Sequence, residues 1–418
     1  MPVTAVIGGQ WGDEGKGKVV DLLCQDVDVV ARYQGGANAG HTVRADGETF
    51  ILHQVPSGIL HPDVLCILGH GVVLDPVDLT EELATLSRHG IATEGRILIS
   101  DAAHLVTPFH KAMDRATGHV IGTTRKGIGP AYTDKARRLG IRAVDMLDTA
   151  HLAKYVADRT AVGIQQGEIN PEESSQLQQE VELFLDACRQ LAPLLGDTFA
   201  TLHQAVATGK NILVEGAQGT LLDLDMGSFP FVTSSHPTVG GIATGLGIPS
   251  QNIQRLVGVF KAYTTRVGEG PFPTELADEA GRKLQEGGAE FGATTGRERR
   301  CGWFDAVAAT YACQVNGFTE VALTKLDVLD SFESLQVCTG YELDGAPVPG
   351  FSAAVHHLDR VTPVYTTLPG WGASTSGLRS LDSLPTEAGE YVRQLEAFMQ
   401  VPIAMVSVGA DRSQILTR

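Results

Sequence analysis

The sequence predicts an α/β fold: one large domain over residues 1–418, with a mostly parallel central sheet flanked by helices and sizeable insertions around residues 100–200. Three observations predict it. Short apolar, β-rich runs recur from the first residues to the last. Segments with three- and four-residue apolar spacing stand between them, and several runs end directly on paired glycines. No Ser/Pro/Gly linker, low-complexity tract or internal repeat divides the chain, which favours one domain over two.

Val3 to Ile7 is the first such run, a buried strand feeding a tight turn at Gly8-Gly9. A helix is expected from Lys18 to Cys24, then a strand from Val27 to Tyr33 closed by Gly35-Gly36. Thr42 to Gln54 alternates around Asp46-Gly47, the signature of a type I′ hairpin. Val64 to Leu68 is strand-like. Asp75 to His89 has a helix cap in Asp75, Pro76 in the first turn and Gly90 as the stop. Asn170-Pro171-Glu172-Glu173 repeats that layout and opens a helix with Leu177, Val181, Phe184, Cys188 and Leu191 on one apolar stripe. Later strands are expected at Ile212 to Val214, Leu256 to Ala262, Val321 to Leu323 and Ile403 to Val406.

The formal net charge of −17 works against non-specific binding to nucleic acid or to anionic membranes, so neither is an expected partner. Any anionic ligand must be held by local basic clusters. The six cysteines contain no Cys-x-x-Cys pair and are expected to be buried, reduced hydrophobes. With no basic leader and no apolar run of membrane-spanning length, a cytoplasmic location is expected.

Gly8-Gly9-Gln10-Trp11-Gly12-Asp13-Glu14-Gly15-Lys16-Gly17-Lys18 follows a strand and opens a helix, the context in which backbone N–H groups and the helix dipole hold a phosphate. It departs from the Walker A pattern: Gln10 stands where the first glycine belongs, and Gly17 replaces the Ser/Thr. The site is therefore P-loop-like, with different details. A carboxylate beside phosphates is costly unless it binds Mg²⁺ or removes a proton, so Asp13 is a candidate for both. Thr324-Lys325-Leu326-Asp327 follows a strand and resembles the guanine-reading motif of GTP-binding proteins. There, the aspartate accepts from guanine N1–H and its exocyclic amine, a donor pair that adenine lacks. Arg297, Arg299 and Arg300 crowd into Thr294-Thr295-Gly296-Arg297-Glu298-Arg299-Arg300, a loop suited to bidentate capture of a small dicarboxylate.

These loops together resemble the adenylosuccinate synthetase family. Residues 9–18 look like its signature, and Gln34-Gly35-Gly36-Ala37-Asn38-Ala39-Gly40-His41-Thr42 its second segment. Gly127 to Tyr132, Glu215 to Gly219, Val232 to Ser235, Thr294 to Arg297 and Ser407-Val408-Gly409 correspond in order, so the resemblance spans the chain. It implies GTP-dependent ligation of IMP and L-aspartate to adenylosuccinate, with one Mg²⁺ per subunit of a homodimer. Asp13 is then the base for N1 and His41 the general acid, while Lys16 and Gln218 stabilise charge on O6 and the transferring phosphoryl group. GTP would meet Gly12, Asp13, Glu14, Gly15, Lys16, Gly17, Lys18, Gly40, His41, Thr42, Arg299, Lys325, Leu326, Asp327, Ser407, Val408 and Gly409. IMP would meet residues 13–16, Asn38, Ala39, Gly40, His41, Thr124, Gln218, Thr233 and Arg297, with Arg138 reaching the partner subunit's IMP phosphate. Aspartate would meet Ala293, Thr294, Thr295, Gly296, Arg297, Glu298 and Arg299, and Mg²⁺ would be held at Asp13 and Gly40.

The chain departs from the family pattern at Arg125-Lys126, where Gly-Arg is frequent, and at His236-Pro237, where Asn often follows the Thr-Ser-Ser run. A GTP-dependent switch would use the same phosphate and guanine loops. It needs neither Asp13 nor the arginine loop, and normally has the missing Ser/Thr. A dinucleotide oxidoreductase fits less well, because residues 8–17 lack the Gly-x-Gly-x-x-Gly fingerprint.

Overall fold

The chain enters its main sheet near the centre, and a later strand, Ile212–Glu215, returns to lie between the first two. The computed structural model describes residues 3–45, 48–117, 123–170, 172, 174–292, 296 and 298–418. Ten strands build the sheet: β1 (Val3–Gly8), β2 (Val29–Arg32), β3 (Leu65–Leu68), β4 (Ile97–Ser100), β5 (Leu195–Gly196), β6 (Ile212–Glu215), β7 (Ile253–Lys261), β8 (Glu320–Thr324), β9 (Ile403–Ser407) and β10 (Ile415–Thr417). Their order is β10-β9-β8-β7-β1-β6-β2-β3-β4-β5. All pairings are parallel except that of β9 with the edge strand β10.

A parallel sheet buries both faces, which is why its strands read as unbroken apolar runs. Successive residues of β1 feed opposite cores: Ala5 and Ile7 pack on one face with Ala31, Val214, Tyr391 and Leu395. Val6 packs on the other with Val30, Leu213, Val257 and with Val19 and Val20 of α1 (Lys16–Leu23). Between β4 and β5 the chain runs through the helices Pro108–Thr117, Ile128–Arg137, Thr149–Gln165 and Ser174–Leu191. A smaller four-stranded sheet, absent from the sequence expectation, joins Phe304–Asp305, Ser334–Leu343, Ala346–Val348 and Thr362–Pro369.

Each expected strand occurs within a few residues of its predicted bounds. The first helix starts two residues early, at Lys16, because Gly15 adopts a left-handed φ of 86° and turns the chain into it. Asp75 caps the helix Pro76–Arg88, accepting from Asp78 N at 3.3 Å. Asn170 makes the predicted cap-type bond, ahead of a helix that starts later than expected. Its side chain accepts from Glu172 N at 3.1 Å in an Asx-type turn, and the helix begins at Ser174; Pro171 and Glu173 lie outside the described residues. His41–Ala45 and Glu48–Leu52 pair antiparallel in the expected hairpin register, whose turn residues 46–47 also lie outside the described set. All six cysteines are buried and unpaired. Among the described residues, no helix is long and apolar enough to cross a membrane.

Candidate active site

Because β1, β6, β2, β8 and β9 all run parallel, the loops that follow them meet at one edge of the sheet. That edge, at the carboxyl ends of parallel strands, is where open α/β sheets place ligands. Residues 9–15 leave β1, Gly216–Gly219 leave β6 and Gln34–Asn38 leave β2. Lys325–Asp327 leave β8 and Val408–Gly409 leave β9.

The phosphate-type loop is built around Glu14. Its carboxylate is fully buried and accepts from Gln10 N at 3.0 Å and Gly12 N at 2.9 Å, while Lys16 Nζ donates to it at 2.5 Å. A Cβ on Gly8 or Gly219 would sit 2.5 or 2.4 Å from that carboxylate, so glycine is required at both. Glu14 therefore turns inward, and only its backbone faces a ligand. Gly12, Asp13 and Gly15 all have left-handed φ values (85°, 59° and 86°), which lift Asp13 to the loop tip with 30% of its side chain exposed. Gly17 stands where His41 and Thr42 approach; an added Cβ would meet Thr42 O at 3.2 Å. The residue missing from the Walker pattern thus makes room for the segment carrying His41.

His41 is buried and donates Nδ1–H to Glu215 at the end of β6. Glu215 also accepts from Ser57 N at 2.8 Å and Ser57 Oγ at 2.9 Å, with Arg32 3.9 Å away. Burial alone would raise the Glu215 pKa, but His41, Arg32 and the Ser57 N–H hold it down to about 2. Burial pushes the His41 pKa down, against the pull of Glu215. A ring fixed through Nδ1 leaves Nε2 for a reacting group.

The guanine-type loop is tied to the phosphate-type loop by Thr324, whose hydroxyl donates to Glu14 O at 2.5 Å. Lys325 takes a left-handed φ of 58°, and its ammonium donates to Gly288 O at 2.6 Å and Glu290 at 2.8 Å. Burial raises the Asp327 pKa, and its Oδ1 is buried with no hydrogen-bond partner among the described residues. Lys18 donates to Ser407 Oγ and Gly409 O, both at 2.8 Å, which pins Ser407-Val408-Gly409 beside this loop. Burial takes the Lys18 pKa down to about 8.

On the opposite side Gln218, at φ 57°, donates through Nε2 to Asn38 Oδ1 at 3.4 Å, and its buried Oε1 lacks a partner among the described residues. Gln34 extends the group, donating to Ala217 O at 2.6 Å and accepting from Ser235, which in turn bonds Thr233. A Cβ on Gly129 would lie 3.5 Å from Ser234 Oγ, so the start of the Ile128–Arg137 helix closes this side.

Arg299 spans the remaining gap, donating to Asp13 Oδ1 at 3.0 Å and to Glu290 Oε2 at 2.7 Å. Gly296 and Glu298 are exposed, while Ala293, Thr294, Thr295 and Arg297 lie outside the described residues. Thr124 is exposed near the helix start. Arg138 is exposed at the far end of that ten-residue helix, about 15 Å along its axis, and does not join the cluster.

Sequence reasoning missed Glu215, Glu290 and Gln10, which bonds Lys261 and Tyr263 backbone to anchor the loop. For Glu215 the available signal was a charged residue closing an apolar strand, whereas Glu290 follows the helix Glu279–Gly287 and Gln10 lies beyond the end of β1, where no such pattern marks them. Of the two departures, Arg125 occupies a left-handed φ of 59°, a position that favours glycine, and Lys126 is tied to Asp78 at 2.7 Å. His236 pairs with buried Asp223 at 3.2 Å.

A family model described as adenylosuccinate synthetase matches residues 5–416. The adenylosuccinate synthetase of Salinibacter ruber is 51% identical, with 100% of this chain and 98% of that one covered. That of Moorella thermoacetica is 48% identical over 100% and 99% of the two chains. The structure of fully ligated adenylosuccinate synthetase from Plasmodium falciparum superposes with a TM-score of 0.93 at 34% identity, covering 100% and 99%. A cyanophage S-2L succinoaminodeoxyadenylate synthetase, at TM-score 0.65 and 21% identity, shares the fold. With its loops arranged this way and its full length matched, the chain belongs to the adenylosuccinate synthetase family.

Proposed function

We infer that this ligase joins IMP to L-aspartate in two displacements driven by GTP, releasing adenylosuccinate, GDP and phosphate as the first committed step from IMP to AMP. One observation carries the assignment of groups. The carboxylate at the tip of a phosphate-type loop, Asp13, stands between a guanine-type pair and the Arg299 bridge.

GTP lies with its phosphates on the backbone N–H groups of residues 12–18 and its base against Lys325, Asp327 and Ser407–Gly409. IMP lies over Asn38, Gln218 and Thr233, closed by Thr124. Asp13 removes the N1 proton, and O6 then attacks the γ-phosphorus as GDP departs. Lys16 and Gln218 hold the charge that grows on O6 and the phosphoryl oxygens. His41, its protonated form favoured by the field of bound phosphates, donates through Nε2 to the phosphoryl group. The segment 293–299 holds aspartate, whose amine attacks C6. Phosphate leaves with the former O6, and the amine loses its proton.

Family members are generally Mg²⁺-dependent. Mg²⁺ takes few protein oxygens and completes its shell with phosphate and water. The site fits that habit: no group of three or more His, Cys, Asp or Glu ligands occurs among the described residues, while Asp13 is part-exposed at the loop tip. Asp13 and the Gly40 carbonyl would hold one ion per subunit, which when bound neutralises phosphate charge. The exposed Arg138, remote from its own cluster, supports a homodimer in which it reaches the partner's IMP phosphate. The omission assay tests the reading: adenylosuccinate forms only with IMP, aspartate and GTP together, and not when ATP replaces GTP. GTP hydrolysis without IMP would contradict it.

A further inference from the structure

We propose that Glu290 is a positioning residue that couples the GTP and aspartate subsites, holding the lysine of one and the arginine of the other on a single carboxylate. This rests on the subsite assignment above. Glu290 is fully buried. Lys261 Nζ donates to both of its oxygens at 2.9 Å, and Tyr263 donates its hydroxyl. The two remaining donors come from loops: Lys325 Nζ at 2.8 Å and Arg299 Nη1 at 2.7 Å.

The backbone shows why this carboxylate can act on the aspartate segment. Arg299 N donates to Glu290 O at 2.9 Å, and Phe291 bridges Glu298 antiparallel. Glu290 and Arg299 therefore form the two sides of a short antiparallel stem with the Phe291–Glu298 bridge. Arg299 uses its other nitrogen on Asp13 at 3.0 Å. Lys325, directly after β8, is fixed by Glu290 and by Gly288 O at 2.6 Å. A Lys261–Glu290 pair alone, both members fully buried, would satisfy folding. The additional engagement of Lys325 and Arg299 makes the pose of each depend on the other's anchor. Without the carboxylate, Lys261, Lys325 and Arg299 would repel one another with Asp13 as the nearest counter-charge.

Glu290→Gln keeps the shape and removes the charge. It is expected to raise KM for GTP and for aspartate together, each about tenfold or more, as expected for losing a charged hydrogen bond, while KM for IMP moves less than about threefold. Glu290→Asp keeps the charge but shortens the reach, so it moves the same two constants by smaller factors and serves if the glutamine variant does not fold. Combining Glu290→Gln with Lys325→Met should raise KM for GTP by less than the product of the single effects, because the lysine then has no anchor left to lose. Equal shifts in all three KM values, unchanged KM values with a lower Tm, or multiplicative effects overturn the coupling. If Lys325→Met leaves KM for GTP unchanged, the subsite assignment fails and the proposal with it. If that variant raises KM while both Glu290 variants leave it unmoved, the coupling alone is overturned.

Discussion

Asp13, the proposed base, stands at a left-handed loop tip with Arg299 donating to its carboxylate at 3.0 Å. Asp13→Asn preserves its shape and cannot accept the proton. Turnover should fall about 10²–10⁴-fold, with GTP binding retained by titration, and near-normal turnover would remove Asp13 from the role. Asp327→Asn exchanges an acceptor oxygen for an amide facing guanine's donors. The preference for GTP over ATP should drop at least about tenfold in kcat/KM, and unchanged selectivity would undo the base-reading role. Both residues were legible in the sequence because each sits in a short contiguous motif whose chemistry is local. The contacts that support the site were not: His41 meets Glu215 across 174 residues, and Arg299 meets Asp13 across 286, contacts that only the fold creates.

The strand β6 and the hairpin His41–Ala45/Glu48–Leu52 are joined through Glu215, and the joint carries a pH signature. The folded pKa of Glu215 is about 2 against an ordinary 4.5, so its stabilisation is complete above pH 4.5 and disappears as pH falls through 2. Glu215→Gln should cost on the order of 3 kcal/mol at neutral pH, with the gap to the parent closing across that acid window in denaturant midpoints. A pH-independent gap would contradict the linkage. At the end of β1, Gly9 meets Phe260, whose Cζ would lie 2.1 Å from an added Cβ. Gly9→Ala should lower stability by about 1–3 kcal/mol, and Phe260→Leu should recover part of the loss in a thermal melt. The central strands were legible because burial on both faces leaves them apolar throughout. The Thr362–Pro369 strand was not, because its mostly exposed TPVYTTLP offers no apolar run, and Ser334–Leu343 alternates irregularly with it.

Across the whole molecule, a ten-stranded, mostly parallel sheet gathers distant motifs at one edge, while Arg138 stands apart on an exposed helix end. A homodimer with shared sites makes a complementation prediction: Arg138→Ala and Asp13→Asn are each nearly inactive alone. Mixed and re-equilibrated, half of the dimers are hybrids with one intact site, so roughly a quarter of parental activity should return. No recovery would place Arg138 outside the partner's site. In the proposed reaction O6 of IMP is phosphorylated before aspartate displaces it. Turnover of [6-¹⁸O]IMP with aspartate and GTP tests it most directly. The account predicts one ¹⁸O in each released phosphate and none in adenylosuccinate; label-free phosphate would contradict it.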